Sequence, residues 1–216
     1  MIAPFLILAW LASFVAIGET SEFSANILRS NADGTPSSEP GKIYVSNDKV
    51  RIETPDVTGG FFIIDGATNI ALFVQPEHRL FMDAKQSSLL TQILVPVDPR
   101  DPCPKLQVMA INAGSAEKDS QWRCDRVGQE VIEGRETIAF STMTAKHKQR
   151  AEWIEPELKF PIRSRTESGL TIDLKNIKEG PQPASLFEIP ANYRKFDPQR
   201  LIDIIKQSDV WVEPPK

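Results

Sequence analysis

The sequence predicts a mainly β protein, in which one antiparallel sheet curls into a half-closed barrel with few helices. About ten or eleven short apolar or alternating segments are separated by turn residues, which is typical of antiparallel strands. The 216 residues include 17 prolines and 11 glycines, a composition that favours many turns over long helices. Several of the segments are apolar on both faces. The sheet is therefore expected to curl around something that covers it, as an open barrel curls around a helix.

Composition narrows the range of functions. The chain has 25 Lys and Arg against 29 Asp and Glu, so its formal net charge is -4, and 41% of its residues are hydrophobic. These values are ordinary for a globular protein and exclude disorder. The mildly acidic balance offers no basic surface for nucleic acid. With only two His and two Cys, a multi-ligand metal centre is not expected, and no cofactor is predicted.

The N-terminal segment predicts export. Residues 1–18 contain no charge, and the apolar stretch Ile2–Ile17 is shorter than the roughly 20 residues that a membrane span needs. Ala16-Ile17-Gly18 provides the small residues that a signal peptidase accepts, so we predict a cleaved signal peptide over 1–18. The basic residues that usually open a signal are absent, and an uncleaved N-terminal anchor is the alternative.

The predicted export bears on the redox state of the two cysteines. Cys103 and Cys124 are 21 positions apart and are an even pair in a chain bound for an oxidising compartment, which favours a disulfide. The alternative is two buried free thiols. The Cys-x-x-Cys spacing of redox pairs is absent.

The first half of the mature chain is predicted to form strands followed by a short helix. Ser46-Asn47-Asp48 and Asp65-Gly66 are turn signals that predict hairpins. Apolar residues recur at helical spacing just before Pro96, which predicts a mid-chain helix over residues 89–94. The predicted strands are Phe23–Leu28, Lys42–Val45, Lys49–Glu53, Phe61–Ile64, Ile70–Val74 and Leu80–Met82.

The second half predicts an extended proline-rich linker over residues 96–104, further strands and a C-terminal helix. Asp197 is a suitable N-cap with Pro198 at the first helical position. The expected organisation is a signal peptide at 1–18, a barrel domain at 19–197, and a helix with a tail docked on the domain at 198–216. The predicted strands are Leu106–Ile111, Trp122–Val127, Glu130–Ile132, Thr137–Thr142, Ala151–Ile154, Phe160–Thr166 and Leu170–Lys175, and the apolar stripe of the last helix is Leu201, Ile202, Ile204 and Ile205.

No catalytic signature is present. The sequence has neither a nucleophile elbow nor a phosphate-binding glycine loop, and it has no pair of histidines at metal-binding spacing. Glu152, Glu167 and Asp173 alternate with apolar neighbours, which is typical of solvated strand faces. We therefore predict that the protein is not an enzyme.

The apolar and aromatic residues between 61 and 94 have two interpretations. They form the core of the domain, or part of them lines a cavity that the mid-chain helix closes as a lid. An apolar cavity with few polar groups suits an acyl chain, because affinity then comes from burial at about 0.8 kcal/mol per CH₂. The predicted cavity and lid residues are Tyr44, Ile52, Phe62, Ile64, Leu72, Val74, Phe81, Leu89, Leu90, Ile93 and Leu94.

Several short motifs follow one another in a recognisable order along residues 22–196. The motifs are Gly41–Val45, Val50–Ile52, Ile64–Gly66, Val74–Pro76, Val127–Gly134, Thr137–Phe140, Trp153–Pro156, Phe160-Pro161, Leu186–Pro190 and Tyr193. They resemble the periplasmic lipoprotein carriers of the LolA/LolB type, and are closest to the uncharacterised periplasmic members of that superfamily. The resemblance implies a half-closed antiparallel barrel with helices on its concave side, a periplasmic location and a lipid or lipoprotein acyl chain as ligand.

Two functions are left open at this point. The first is a non-catalytic periplasmic binder or carrier of an apolar ligand on the concave side of the barrel. The second is an envelope adapter or sensor with a filled core, no ligand and a protein partner. Ser46 and Asn47 stand where the carriers have an arginine that holds the lid, which weakens the case for lipoprotein hand-over. A monomer that does not bind nucleic acid is expected in both cases.

Overall fold

The computed structural model describes residues 21–84, 89–112, 121–144, 149–198 and 203. The predicted signal peptide and the stripe Leu201, Ile202, Ile204 and Ile205 lie outside the described residues. The described part holds one sheet of twelve strands, two α-helices and a 3₁₀ helix at Ala184–Phe187. Their bounds are β1 Glu22–Ser30, β2 Gly41–Ser46, β3 Lys49–Glu53, β4 Phe61–Asp65, β5 Ile70–Gln75, β6 Leu80–Asp83, α1 Leu90–Ile93, α2 Cys103–Asn112, β7 Arg123–Ile132, β8 Arg135–Met143, β9 Gln149–Glu155, β10 Phe160–Thr166, β11 Thr171–Glu179 and β12 Arg194–Lys195.

The strands lie in the order β12-β6-β5-β4-β3-β2-β1-β11-β10-β9-β8-β7. Neighbours are antiparallel except for the short pair β12 and β6. Two meanders, β1–β6 and β7–β11, are joined where β1 pairs with β11, and α1 and α2 connect β6 to β7. Because β7 and β12 are free edges, the sheet is open rather than closed. This confirms the predicted mainly β, half-open antiparallel architecture with few helices.

Local turn chemistry explains the hairpins. Asn47 in the β2–β3 turn has φ 54°, and Glu133 and Gly134 in the β7–β8 turn have φ 52° and 77°. The β7–β8 turn therefore has positive φ at both central positions, which is the requirement of a type I′ turn. Gly66 is needed for a different reason, because its backbone lies close to the β2–β3 turn. Its N–H donates to the Asp48 carbonyl at 2.7 Å, and a Cβ at this position would lie 3.0 Å from the same oxygen. The two adjacent hairpin turns are thereby tied together.

The largest difference from the sequence prediction is α2. Residues 106–111 were expected to form a strand after an extended linker, but Cys103–Asn112 forms a helix. The buried residues Leu106, Met109 and Ala110 are spaced i, i+3 and i+4, which is the period of a helix that packs on one side. In addition, β7 is one strand with a register shift between Arg126 and Gly128 rather than two strands. Of the thirteen predicted segments, one is α2 and two form the single strand β7, so eleven strands result. The twelfth strand in the described part is β12, which carried no strand signal.

The core lies mainly on the face of the sheet that α1 and α2 cover, and its cluster also includes Ala139 and Trp153 of the opposite face. It takes side chains from both meanders, from both helices and from the loop between them. Within the described residues, no helix is both long enough and apolar enough to cross a bilayer. The most deeply buried large apolar side chains of the described part are Phe23, Phe160, Ile43, Ile52, Ile64, Ile93, Leu94, Ile154, Ile162, Ile172 and Leu174.

The predicted disulfide is confirmed. Cys103 at the start of α2 is bonded to Cys124 on β7, with the two Cα atoms 5.8 Å apart. The bond fixes the helix to the edge strand, so the connection between the two meanders is anchored at its far end.

Replacing both cysteines by serine should lower the free energy of unfolding by about 3 kcal/mol, because the closed loop no longer restricts the unfolded chain. Urea denaturation of the variant and of the wild type measures this. The wild type with its disulfide reduced is the matched control and should show the same loss. An unchanged midpoint in both would contradict the prediction.

Candidate functional site

The residues predicted to line one apolar cavity lie on two faces of the sheet. Ile64 pairs with Ala71, and Phe62 pairs with Phe73. Cross-strand partners share a face and side chains alternate along a strand, so Leu72 and Val74 lie on the opposite face. The same alternation places Tyr44, between the core residues Ile43 and Val45, and Phe81, the partner of Val74, on that opposite face.

The predicted cavity residues on the helical side, which is the face of the sheet that α1 and α2 cover, pack against one another. Ile52, Ile64 and Ile93 are completely buried, and Leu94 is 2% exposed. All of them belong to the core cluster, and Leu89 packs against it from a partly buried position. Phe62 and Leu90, each 3% exposed, lie in the same cluster. In the described part of the chain, these side chains pack together in the place where the sequence predicts a cavity.

A C-terminal segment meets the opposite face. Arg51 donates from Nη1 to the Leu186 carbonyl at 3.2 Å, and its guanidinium stacks 3.4 Å from the centre of the Phe61 ring. The 3₁₀ helix that contains Leu186 contacts β3, and its Phe187 is buried. Val74 is completely buried although it lies outside the main core cluster. The second apolar face of these strands is thus a smaller core rather than an open surface.

A large open cavity lies at the mouth of the curved sheet. Its volume is about 1280 Å³, and it runs between the hairpin turns of β2–β5 on one side and β7 and β8 on the other. Ala67 lies on the first wall and the exposed Arg126 on the second, while Ile138 and Phe140 contribute apolar surface. None of the predicted cavity residues lines it. The remaining lining residues are Asp48, Gly66, Pro96, Val97, Asp98, Pro99, Arg100, Asp101, Pro104, Lys105, Pro156 and Lys159.

Hydrogen bonds hold the walls of this cleft in place. The Lys105 ammonium donates to the Gly66 carbonyl and, at 2.8 Å, to Oδ1 of Asn69, which joins α2 to the β4–β5 turn. Burial lowers the pKa of Lys105, and the nearby charges of Asp48 and Asp65 oppose that shift. Asp98 accepts the backbone N–H of Arg100 at 2.9 Å within the loop. The cleft therefore has a pre-formed wall and carries charges of both signs.

A second, smaller pocket lies farther along the helical face, between α2 and the ends of β8, β9 and β10. Its volume is about 290 Å³. Ala110 of α2 lies on one side and Arg150 of β9 on the other, and the side chain of Trp122 contributes to the wall. The indole nitrogen of Trp122 is buried and has no hydrogen-bond partner among the described residues. The other lining residues are Thr142, Thr144, Gln149, Thr166, Glu167 and Ser168.

Glu152 lies next to Arg150 along β9 and is 1% exposed, so the expectation that it faces solvent is wrong. Its partner on β8 is Phe140, which belongs to the buried face. Ser164 donates to Oε1 at 3.0 Å, whereas Oε2 is buried and has no partner in the part of the chain that the structure describes. Burial raises the pKa of Glu152 to about 8, and Arg150, 3.9 Å away, only partly offsets this effect. The carboxyl group is accordingly protonated at neutral pH.

The other two acidic residues of the predicted solvated faces behave differently. Asp173 accepts a hydrogen bond from Nε of Arg163 at 2.6 Å and is only partly exposed. Glu167 is exposed at the rim of the smaller pocket. In the described residues, no group of three or more His, Cys, Asp or Glu side chains is arranged to hold a metal ion.

Comparison with known proteins adds information about the fold. No protein-family model matches the chain, and no curated protein matches its sequence. PNGF-II is similar in structure, with a TM-score of 0.52 and 10% identity, and the match covers 87% of this chain and 33% of PNGF-II. The likeness is one of fold. This chain spans only a third of the length of PNGF-II.

Two further solved structures are similar at a lower level. MucB matches with a TM-score of 0.44 and 12% identity, over 81% of this chain and 59% of MucB. A domain from Vibrio parahaemolyticus described as an outer membrane lipoprotein-sorting protein domain matches with a TM-score of 0.35 and 10% identity, over 80% of this chain and 91% of that domain.

Proposed function

We propose that this protein is a non-catalytic binding protein of the periplasm that acts as an adapter, and that it holds an extended segment of a partner polypeptide in the cleft at the mouth of the sheet. One observation carries the proposal. Six of the residues expected to surround an acyl chain on the helical side are at most 3% exposed, whereas the cleft is open with a volume of about 1280 Å³. The six are Ile52, Phe62, Ile64, Leu90, Ile93 and Leu94.

The size and lining of the cleft support a polypeptide rather than a small molecule. Small-molecule pockets usually enclose about 300–1,000 Å³ and are mostly apolar. This cleft is larger, and Asp48, Arg100 and Arg126 give it charges of both signs. Ile138 and Phe140 offer a place for an apolar side chain of the partner. A segment with an apolar anchor between polar residues fits this surface.

The periplasmic location is also part of the proposal. It is supported by the uncharged apolar segment at 1–18 and by the disulfide between Cys103 and Cys124, a bond that persists in oxidising compartments. The acyl-carrier hypothesis is the competing proposal. It requires α1 to leave the core, because Leu90 and Ile93 occupy the space on that side.

A site-specific photo-crosslinker tests the adapter proposal. Arg126 and Asp125 are neighbouring exposed residues of β7, but Arg126 lines the cleft, whereas Asp125 alternates to the other face. A crosslinker at position 126, in cells that naturally make the protein, should capture one defined polypeptide, and the matched crosslinker at 125 should not. Binding of the captured segment, measured by calorimetry with purified protein, should be lost in Arg126→Glu and retained in Asp125→Lys.

Two results would contradict the proposal. Equal capture at both positions would show that the cleft is not the binding surface. Native mass spectrometry of protein purified from its own compartment is the second measurement. Bound lipid that is released only on denaturation would favour the acyl carrier over the adapter.

A further inference from the structure

We propose that the smaller pocket between α2 and the ends of β8–β10 is a binding site for a small organic monocarboxylate. The Arg150 guanidinium and the Trp122 indole N–H would hold the carboxylate group, and Ala110 and the Trp122 ring would contact the organic body. The proposal does not depend on the cleft, which has a different lining.

The first argument is an unsatisfied donor. Trp122 Nε1 is buried and donates to nothing in the described structure. Trp153 on the opposite face donates from the same atom to Glu130 at 2.7 Å. A buried polar group without a partner is costly, and such groups in native proteins often mark an absent water or ligand. Nε1 itself has almost no accessible surface, so the indole ring must turn toward the adjoining pocket before an acceptor there can satisfy the N–H.

The second argument is the charge of Arg150. Its side chain is 22% exposed, and among the described residues its one carboxylate neighbour within ion-pair distance is Glu152, at 3.9 Å. Because burial keeps Glu152 protonated at neutral pH, that neighbour does not neutralise the guanidinium. Arg150 therefore contributes a positive charge to the pocket wall, and a guanidinium can hold a carboxylate through two parallel hydrogen bonds.

The third argument concerns size and net charge. A volume of about 290 Å³ equals about ten water molecules at roughly 30 Å³ each, so the body of the ligand is small. A single negative charge balances the charge of Arg150. A doubly charged phosphate would leave an excess of negative charge next to Glu167 at the rim of the pocket. Thr142 and Thr166 add hydroxyl groups to the same wall. These features favour a monocarboxylate with a short aliphatic or aromatic body.

Calorimetry with benzoate and octanoate tests the site, with benzamide and octanol as uncharged analogues. Both carboxylates should bind, and Trp122 should report binding as a change in the chemical shift of its indole N–H. Arg150→Gln should weaken binding by about tenfold or more, because a charge-assisted hydrogen bond is lost. Trp122→Phe should weaken it as well, while Arg150→Lys should restore part of the affinity.

Matched controls come from the other face of the sheet. Arg165 pairs through its strand position with Ala151 and lies over Trp153, so Arg165→Gln and Trp153→Phe change the same residue types away from the pocket. These variants should bind like the wild type. Equal affinity for benzoate and benzamide, unchanged binding in Arg150→Gln or Trp122→Phe, or no binding of either carboxylate would overturn the proposal. The comparison of benzoate with benzamide uses the wild type, so it tests the proposal even where a variant fails to fold.

Discussion

The double variant Leu90→Asp, Ile93→Asp is expected to unfold the domain. Leu90 is 3% exposed and Ile93 is completely buried, and both belong to the same core as the strands. Each loses roughly 1.5–3 kcal/mol of apolar burial, and a carboxylate without a partner in that position costs more. The sum exceeds about 5 kcal/mol, a large part of the stability of an ordinary domain. Circular dichroism and urea denaturation should show no cooperative native state.

Gln92→Asp is the control for this variant, since Gln92 lies on the same helical turn but is only partly buried. It should fold. A double variant that folds with the midpoint of the wild type would show that the space beneath α1 accepts charges, as a ligand cavity would. Fatty-acid binding measured on that folded sample would then test the acyl-carrier hypothesis directly.

The second large effect is a dependence of stability on pH that originates at Glu152. The unfolded carboxyl loses its proton near the ordinary value of 4.5, whereas the folded one keeps it to about 8. Between these values the unfolded chain binds fewer protons than the folded chain, so the free energy of unfolding falls as the pH rises. The pKa shift of Glu152 corresponds to a decrease of as much as about 5 kcal/mol in the free energy of unfolding. This decrease is complete above pH 8.

Glu152→Gln isolates this contribution, because the amide cannot ionise and still offers Ser164 an acceptor. The slope of stability against pH between 5 and 8 should be smaller than in the wild type, and the variant should be the more stable protein at pH 8. Glu136→Gln, at an exposed position of β8, should leave the slope unchanged. Urea midpoints at a series of pH values measure both. Parallel pH profiles for wild type and Glu152→Gln would contradict the prediction.

Much of the sheet could be predicted because its signals are local. The turns at Asn47 and at Glu133-Gly134 require backbone conformations that few residues adopt, and those residues are visible in the sequence. The disulfide was predictable from the cysteine count. The helix α2 was not, because the order Leu106-Gln-Val-Met-Ala-Ile is compatible with both strand and helix. Packing of Leu106 and Met109 on one side decided between them.

The candidate sites were harder to predict for a different reason. Strands β4 and β5 are apolar on both faces, and only the register, with Phe62 opposite Phe73, shows which residues lie together. Glu152 has the sequence surroundings of a solvated strand residue, but it lies next to Phe140 on the buried face. No local pattern distinguishes these cases, since the deciding partners lie on other strands.

The pairing of β1 with β11 is the folding step at which most of the loop-closure entropy is lost. Within each meander, strands pair with their neighbours in the chain, so those contacts have a low contact order and close short loops. By contrast, β1 meets β11 across about 150 residues, and the Gly180 N–H also donates to the Glu22 carbonyl at 2.9 Å. Two quickly formed halves must therefore find each other in a single long-range encounter. Until they do, each half presents an unpaired inner edge, which is the surface through which incompletely folded copies would associate.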